Sequence, residues 1–127
     1  MTQAIDIVVN LYTPRMVQEG RTGLDEDFKA QVRMPEDMRA GVSEASYLEL
    51  MDDAGIEKSL LIAVRAGDIR MQGSFEVPYE EVAQVCRAHP ERYLGLAGID
   101  PYRGMQQLAE LEYAVRELGF VGAHLYP

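Results

Sequence analysis

The sequence has no tryptophan, a single cysteine, and only 12 basic residues against 21 acidic ones. One cysteine cannot form an internal disulfide, which is typical of proteins in the reducing cytoplasm. This residue, Cys86, falls on the apolar face of a predicted helix. We therefore interpret it as a core residue rather than as a nucleophile.

The shortage of basic residues gives a net charge of −9, which argues against a nucleic-acid partner and against anionic membranes. No apolar run approaches the ~18–20 residues of a membrane span. The first four residues lack the basic and apolar regions of a signal peptide. These absences predict a cytoplasmic protein with neither a nucleic-acid partner nor a membrane partner.

A length of 127 residues and a hydrophobic fraction of 47% are ordinary for one globular domain. A chain of this size can bury roughly two-thirds of its unfolded surface. We therefore expect residues 1–127 to form a single domain.

Four apolar segments have the pattern of strands, at 4–12, 58–64, 93–99 and 120–126. Segment 58–64 is apolar almost throughout, as in strands buried on both faces of a parallel sheet. Alternation in the first segment puts Asp6, Asn10 and Tyr12 on one face, and in the last it puts His124 and Tyr126 on one face. Gly95 and Gly98 in the third segment predict a close backbone approach.

Three helices are predicted between these strands. The first starts at Ser43 and ends at Gly55, and the second follows Pro78. The third covers 105–118, and its predicted core stripe consists of Leu108, Leu111, Val115 and Leu118. Residues 13–42 form an excursion after the first strand, with a short helix around Phe28. Strict alternation of strands and helices predicts right-handed crossovers and a parallel sheet.

Several motifs resemble the amidohydrolase-related family (amidohydrolase 2), whose members are TIM-barrel metal-dependent hydrolases and decarboxylases. They are the Gly-Leu-Ala-Gly-Ile-Asp-Pro run at 95–101, the helix end at 117–122, the His-Leu-Tyr-Pro run at 124–127, and residues 54–58. The resemblance implies an α/β fold whose parallel (β/α) units form the N-terminal half of a (β/α)8 barrel, since a closed barrel typically needs ~250 residues. The alternative is a small open three-layer sheet, complete in itself.

The resemblance also implies a divalent metal, zinc in the first instance, although the first-strand histidine pair of the family would fall on Val8 and Asn10. Valine has no donor atom, and an asparagine carbonyl suits harder ions than zinc. Among the strand-end residues, His124 is a possible ligand. The lost pair favours an alternative in which the chain is a non-catalytic fragment or binding domain.

The predicted site lies at the C-terminal ends of the strands, where α/β proteins place their chemistry. His124 is a general base or metal ligand, or else a hydrogen-bonded core histidine. Tyr126 is a donor to a developing oxyanion, or a packing residue. For substrate binding the candidates are Asn10, Tyr12 and Arg65, the last of which alternatively forms a surface ion pair.

The function implied by the resemblance is a metal-dependent hydrolase, or a carbon–carbon lyase or decarboxylase, acting on a small carboxylated or aromatic-derived molecule. A four-stranded half-barrel has two open edges that invite pairing with another chain. We therefore expect the isolated 127-residue chain to be inactive, and to be completed by the rest of the barrel or by homo-oligomerisation.

Overall fold

The structure is a computed structural model that describes residues 3–68, 70, 71 and 74–126. Its main sheet has four parallel strands in the order β1 (Ala4–Asn10), β2 (Ile56–Ala63), β5 (Tyr93–Ile99) and β6 (Gly122–Leu125). The first strand lies beside the second, as the half-barrel prediction requires. The predicted α/β class, with parallel units forming the N-terminal half of a barrel, is confirmed.

The register of the sheet separates its two faces. Ser59, Leu61 and Ala63 pair with Tyr93, Gly95 and Ala97, and all six are buried under the helices. On the inner face Leu60 pairs with Leu94, and Gly98 pairs with His124. The side chains of Leu60, Leu94 and His124 are partly exposed. The helices therefore cover one face of the sheet only.

The alternation predicted for the first strand is wrong in its middle. Asp6 pairs with Ser59 whereas Val9 pairs with Leu61, so β1 has one more residue than β2 in this interval, a β-bulge. Asp6 therefore shares the helix-facing side with Ser59 and does not share a face with Asn10. A second register shift lies between Ala4 and Ile5, and the side chain of Ile5 is exposed.

Helix α3 (Glu44–Ala54) has the predicted ends. The Ser43 hydroxyl accepts a hydrogen bond from the backbone nitrogen of Ser46 at 3.1 Å, and Gly55 closes the helix with φ = 70°. Helix α4 (Tyr79–Ala88) buries Val82 and Val85 against the sheet. Cys86 packs beside them, and burial raises the pKa of its thiol to about 11, which confirms a packing role.

The core stripe predicted for helix α5 (Met105–Arg116) is half wrong. Leu111 and Leu118 pack against the core, whereas Leu108 and Val115 are about half exposed. The buried stripe instead includes Gln107, because its amide finds partners described below. Gly119 ends the turn with φ = 75°, and the Phe120 ring then packs on Gly95.

The excursion contains more structure than the sequence predicted. Helix α1 (Pro14–Gln18) is capped by Thr13, and helix α2 (Glu26–Gln31) by Asp25; a short 3₁₀ turn follows at Glu36–Met38. In α2 the side chain of Phe28 is exposed, whereas that of Lys29 is buried. Arg21 ties the excursion to α4 through two hydrogen bonds to Glu81, at 3.1 and 3.3 Å.

A pair of short antiparallel strands, β3 (Arg65–Ala66) and β4 (Phe75–Glu76), follows β2. Pro127, at the end of the last motif of the family resemblance, lies outside the described residues. None of the helices described is both long enough and apolar enough to cross a bilayer.

Candidate functional site

The C-terminal ends of the two outermost strands bring three predicted residues together. The Asn10 carboxamide donates a hydrogen bond to the Tyr126 hydroxyl at 3.4 Å, and the His124 and Tyr126 rings lie 4.8 Å apart, edge to face. Strands β1 and β6 are three strand spacings apart, or about 14 Å along the sheet. Since their side chains meet, the sheet curls as half of a barrel would, and the three residues occupy its inner side.

His124 is the most reactive group of this cluster. Its Nδ1 atom is buried and has no hydrogen-bond partner among the described residues. A buried polar atom without a partner costs on the order of 1–3 kcal/mol, so it is a natural point for a ligand to bind. The imidazole, which lies edge to face with the Tyr126 ring, therefore has one unpaired nitrogen.

Two glycines near His124 have close neighbours of their own. His124 pairs with Gly98, where an added Cβ would lie 2.2 Å from the carbonyl oxygen of Ala63. At Gly122, two residues before His124, an added Cβ would lie 3.2 Å from a methyl group of Leu96. The close backbone approach predicted for Gly98 is confirmed, whereas the close neighbour of Gly95 is the side chain of Phe120.

Arg65 is held by protein groups on the other side of the sheet. Its guanidinium pairs with Glu110 and lies 3.5 Å from Glu76, and it stacks 4.3 Å from the centre of the Tyr79 ring. It also donates to the Gln107 carbonyl at 2.7 Å. The structure thus places Arg65 in an ion-pair network, while its predicted role in substrate binding stays a prediction.

Gln107 connects this network to the sheet, and sequence analysis missed it. Its amide nitrogen donates to the Tyr79 hydroxyl at 3.0 Å, and that hydroxyl donates to the Gly98 carbonyl at 2.6 Å. Its carbonyl accepts from the backbone nitrogen of Asp100 at 2.8 Å. A helical spacing of 107, 111, 114 and 118 was the available signal. The network supports the strand that lies under His124.

Asp100 caps the turn after β5, as expected for an aspartate before proline. Its carboxylate accepts from the backbone nitrogen of Tyr102 at 3.0 Å and pairs with Arg103 at 3.3 Å. A cleft of about 540 Å³ is lined by Asp100, Arg65 and Tyr126. Tyr126 therefore borders both the inner cluster and this outer cleft.

Tyr12 lies just beyond the end of β1, beneath the excursion. Its hydroxyl donates to the carbonyl of Arg39 at 2.9 Å. Lys29, which sequence analysis also missed, is 6% exposed, and its amine pairs with Glu26 at 2.7 Å. The hydrogen bond to Glu26, and less so the proximity of Tyr12, raise the pKa of Lys29. The excursion thereby brings a permanently charged amine close to the first strand end.

The chain's own donor atoms do not fit a metal site. Nowhere in the described ranges do three His, Cys, Asp or Glu side chains come together as ligands. Val8 supplies no donor, and the Asn10 amide already bonds to Tyr126. Among the described residues His124 Nδ1 is a buried ring nitrogen without a partner, and three or four ligands are the usual requirement for a metal site.

No family model and no curated protein matches the sequence. Solved structures do match. A 2,6-dihydroxybenzoate decarboxylase in complex with 2,6-dihydroxybenzoate is 25% identical, with a TM-score of 0.66 over 97% of this chain and 39% of that one. A TIM-barrel protein from Bordetella bronchiseptica is 21% identical, with a TM-score of 0.64 over 98% of this chain and 43% of that one.

The chain resembles the TIM-barrel decarboxylases of the amidohydrolase-related family. A further example is a dihydroxybenzoic acid decarboxylase from Polaromonas sp. JS666, solved with manganese and the inhibitor 2-nitroresorcinol. It is 24% identical, with a TM-score of 0.60 over 97% of this chain and 38% of that one. The expected family resemblance is confirmed, whereas zinc in particular gains no support, because the metal bound there is manganese. The chain spans about two-fifths of the length of these proteins.

Proposed function

We propose that the protein is a lyase that decarboxylates a small aromatic carboxylate, and that Asn10, His124 and Tyr126 form part of its site. The buried, unpaired Nδ1 of His124 at the inner end of the sheet is the observation that carries this proposal. The 25% identity to 2,6-dihydroxybenzoate decarboxylase over 97% of the chain supports it. Decarboxylation is preferred to hydrolysis because the characterised neighbours described above are decarboxylases.

The proposed chemistry assigns proton transfer to His124. In decarboxylation the bond from the ring carbon to the carboxylate breaks, carbon dioxide leaves, and the ring carbon takes up a proton. An imidazolium can donate that proton near neutral pH. A positioned acid of this kind contributes typically 10²–10⁴-fold to a rate.

Asn10 and Tyr126 are proposed to bind the substrate oxygens. Their mutual hydrogen bond is long, at 3.4 Å, so a ligand oxygen can replace it at little cost. Tyr12, whose hydroxyl lies just beyond the end of β1, extends this polar rim. Arg65 stays a proposed substrate-binding residue, although its guanidinium already contacts Glu76, Glu110, Gln107 and the Tyr79 ring.

The manganese in the Polaromonas protein supports a divalent metal in the family. The donor atoms of this chain do not make such a site, so no step is assigned to a metal here. The second candidate function is a binding domain without catalysis, and the missing donor at Val8 favours it. A cytoplasmic location and homo-oligomerisation, or completion by further barrel strands, belong to the same proposal.

The test is to incubate the purified protein with 2,6-dihydroxybenzoate and to measure product and carbon dioxide. Parallel samples would contain added manganese or a chelator. Turnover that survives the chelator supports a mechanism carried by protein groups, and turnover lost with the chelator shows that a metal is required. Saturable binding of the carboxylate without turnover in any sample would instead support the binding domain.

A further inference from the structure

A second cavity lies on the opposite face of the sheet from His124. It has a volume of about 200 Å³ and lies between β1, β2 and β5 on one side and α3 and α4 on the other, with residues 11–13 after β1 and residues 38 and 42 of the excursion also lining it. Val9, Leu61 and Val85 line its apolar wall, and each is less than 10% exposed. For comparison, an engineered apolar cavity of about 150 Å³ holds benzene. The space is therefore large enough for one aromatic ring.

One polar group in this cavity lacks a partner. Tyr93 is 2% exposed, and its hydroxyl forms no hydrogen bond with any described residue. Its ring stacks on Tyr47 at 6.1 Å, and the Tyr47 hydroxyl is already engaged with Ser59 at 3.2 Å. Tyr93 thus offers a donor inside an otherwise apolar wall, whereas its neighbour does not.

The charge of the lining selects against anions. Glu44 is at the rim, and none of the described lining residues is a lysine, arginine or histidine. A carboxylate would enter without a counter-charge and beside another carboxylate, which is costly in an apolar site. A neutral ring with one acceptor oxygen would pack against the aromatic faces of Tyr47 and Tyr93 and accept from the free hydroxyl.

We propose that this cavity, between the sheet and helices α3 and α4, is a binding site for neutral single-ring aromatic molecules that accept a hydrogen bond from Tyr93. Asn10 and Tyr12 also line this cavity, so it adjoins the strand-end cluster, but the proposal rests on the Tyr93 hydroxyl and does not depend on the decarboxylase proposal. Neutral phenols are the ligand class that fits both the volume and the single donor.

The test uses phenol as the acceptor probe and toluene as its isostere without an acceptor. Both are titrated into purified protein whose valine and leucine methyl groups are observed by NMR. Phenol should shift the methyl signals of Val9, Leu61 and Val85 and bind more tightly than toluene. Tyr93→Phe should weaken phenol about fivefold, the worth of one neutral hydrogen bond, and leave toluene unchanged.

Two matched variants locate the binding. Leu50 lines the cavity and is 39% exposed, so Leu50→Trp can fill the space without overpacking the core. Leu108 on α5 is 57% exposed and far from the cavity lining, so Leu108→Trp is the control. Leu50→Trp should abolish binding of both probes, and Leu108→Trp should not.

The proposal fails if phenol shifts none of the three methyl signals. It also fails if Tyr93→Phe weakens phenol and toluene equally or leaves both unchanged, since the hydroxyl would then have water as its partner. Equal effects of Leu50→Trp and Leu108→Trp would place the binding elsewhere and reject the cavity as the site.

Discussion

The Asn10 carboxamide and the Tyr126 hydroxyl are hydrogen-bonded across 116 residues of sequence, joining the two outermost strands of the sheet. The contact is direct, because the sheet curls enough for the two side chains to reach each other. His124 lies beside this bridge, so a ligand that opens it also meets the imidazole.

His124→Ala should lower the proposed decarboxylation at least about 100-fold, since a positioned acid or base contributes 10²–10⁴. Stability should change little, because the substitution removes an imidazole whose described packing is edge to face on Tyr126. Steady-state rates and thermal unfolding of the variant measure the two effects. His89→Ala is the matched control, because His89 is the only other histidine and lies at the end of α4. Equal rates in the two variants would remove His124 from the chemistry.

Gly98→Ala should destabilise the protein by about 1–3 kcal/mol, the usual cost of overpacking. The added Cβ would lie 2.2 Å from the backbone oxygen of Ala63, and a backbone atom cannot rotate away. Gly122→Ala is the control on the same face, where the neighbour is a flexible methyl group of Leu96 at 3.2 Å. Chemical denaturation of both variants gives the comparison, and equal midpoints would contradict the argument.

Gln107→Leu should lower the free energy of unfolding by about 2–3 kcal/mol, although it adds an apolar side chain at a buried position. It leaves Arg65 without a 2.7 Å acceptor and the backbone nitrogen of Asp100 without its 2.8 Å partner. Gln106→Leu, which loses one exposed bond to Glu110, should cost less than about 0.5 kcal/mol. Urea unfolding of the two variants measures the difference. An unchanged free energy of unfolding in Gln107→Leu would show that the network does not stabilise the fold.

Stability should fall as pH rises from about 10 to 12. Burial raises the pKa of Tyr93 to about 12 from an ordinary value of 10.0. In that interval the unfolded tyrosine loses its proton and the folded one keeps it, so alkali favours unfolding. Tyr93→Phe should show a shallower decline of unfolding free energy between pH 9 and 11.5.

The control for this pH dependence is Tyr113→Phe, because Tyr113 is 43% exposed. This variant should keep the slope of the parent protein. If Tyr93→Phe also keeps that slope, other groups are responsible for the alkaline loss of stability.

Local signals predicted the elements that local interactions determine. Ser43 and Gly55 bound α3 as expected, because a cap and a left-handed glycine act within one turn. The strand-end cluster was also predictable, since the C-terminal ends of parallel strands meet at one edge. The reaction proposed for this cluster does not follow from the fold.

Tertiary contacts account for what the sequence did not reveal. Hydropathy favours Leu108 over Gln107 as a core residue, but Gln107 is buried because Arg65, Tyr79 and Asp100 satisfy its amide. The burial of Lys29 likewise depends on how the excursion folds back toward Tyr12. Neither partnership follows from the spacing of residues within one helix.

The bulge between Asp6 and Val9 decides which way the upper half of β1 faces. With regular pairing from Asp6 onward, Asn10 would stand opposite Ala63 and point under the helices; the extra residue moves it opposite Ile62. Deleting one residue between Asp6 and Val9 would remove the bulge and keep Asn10 opposite Ile62. Removing the bulge without a deletion would place Asn10 opposite Ala63 and turn it away from Tyr126. The bulge therefore makes the two halves of β1 independent in register. A change of register in the half before Asp6 does not alter the face on which Asn10 lies.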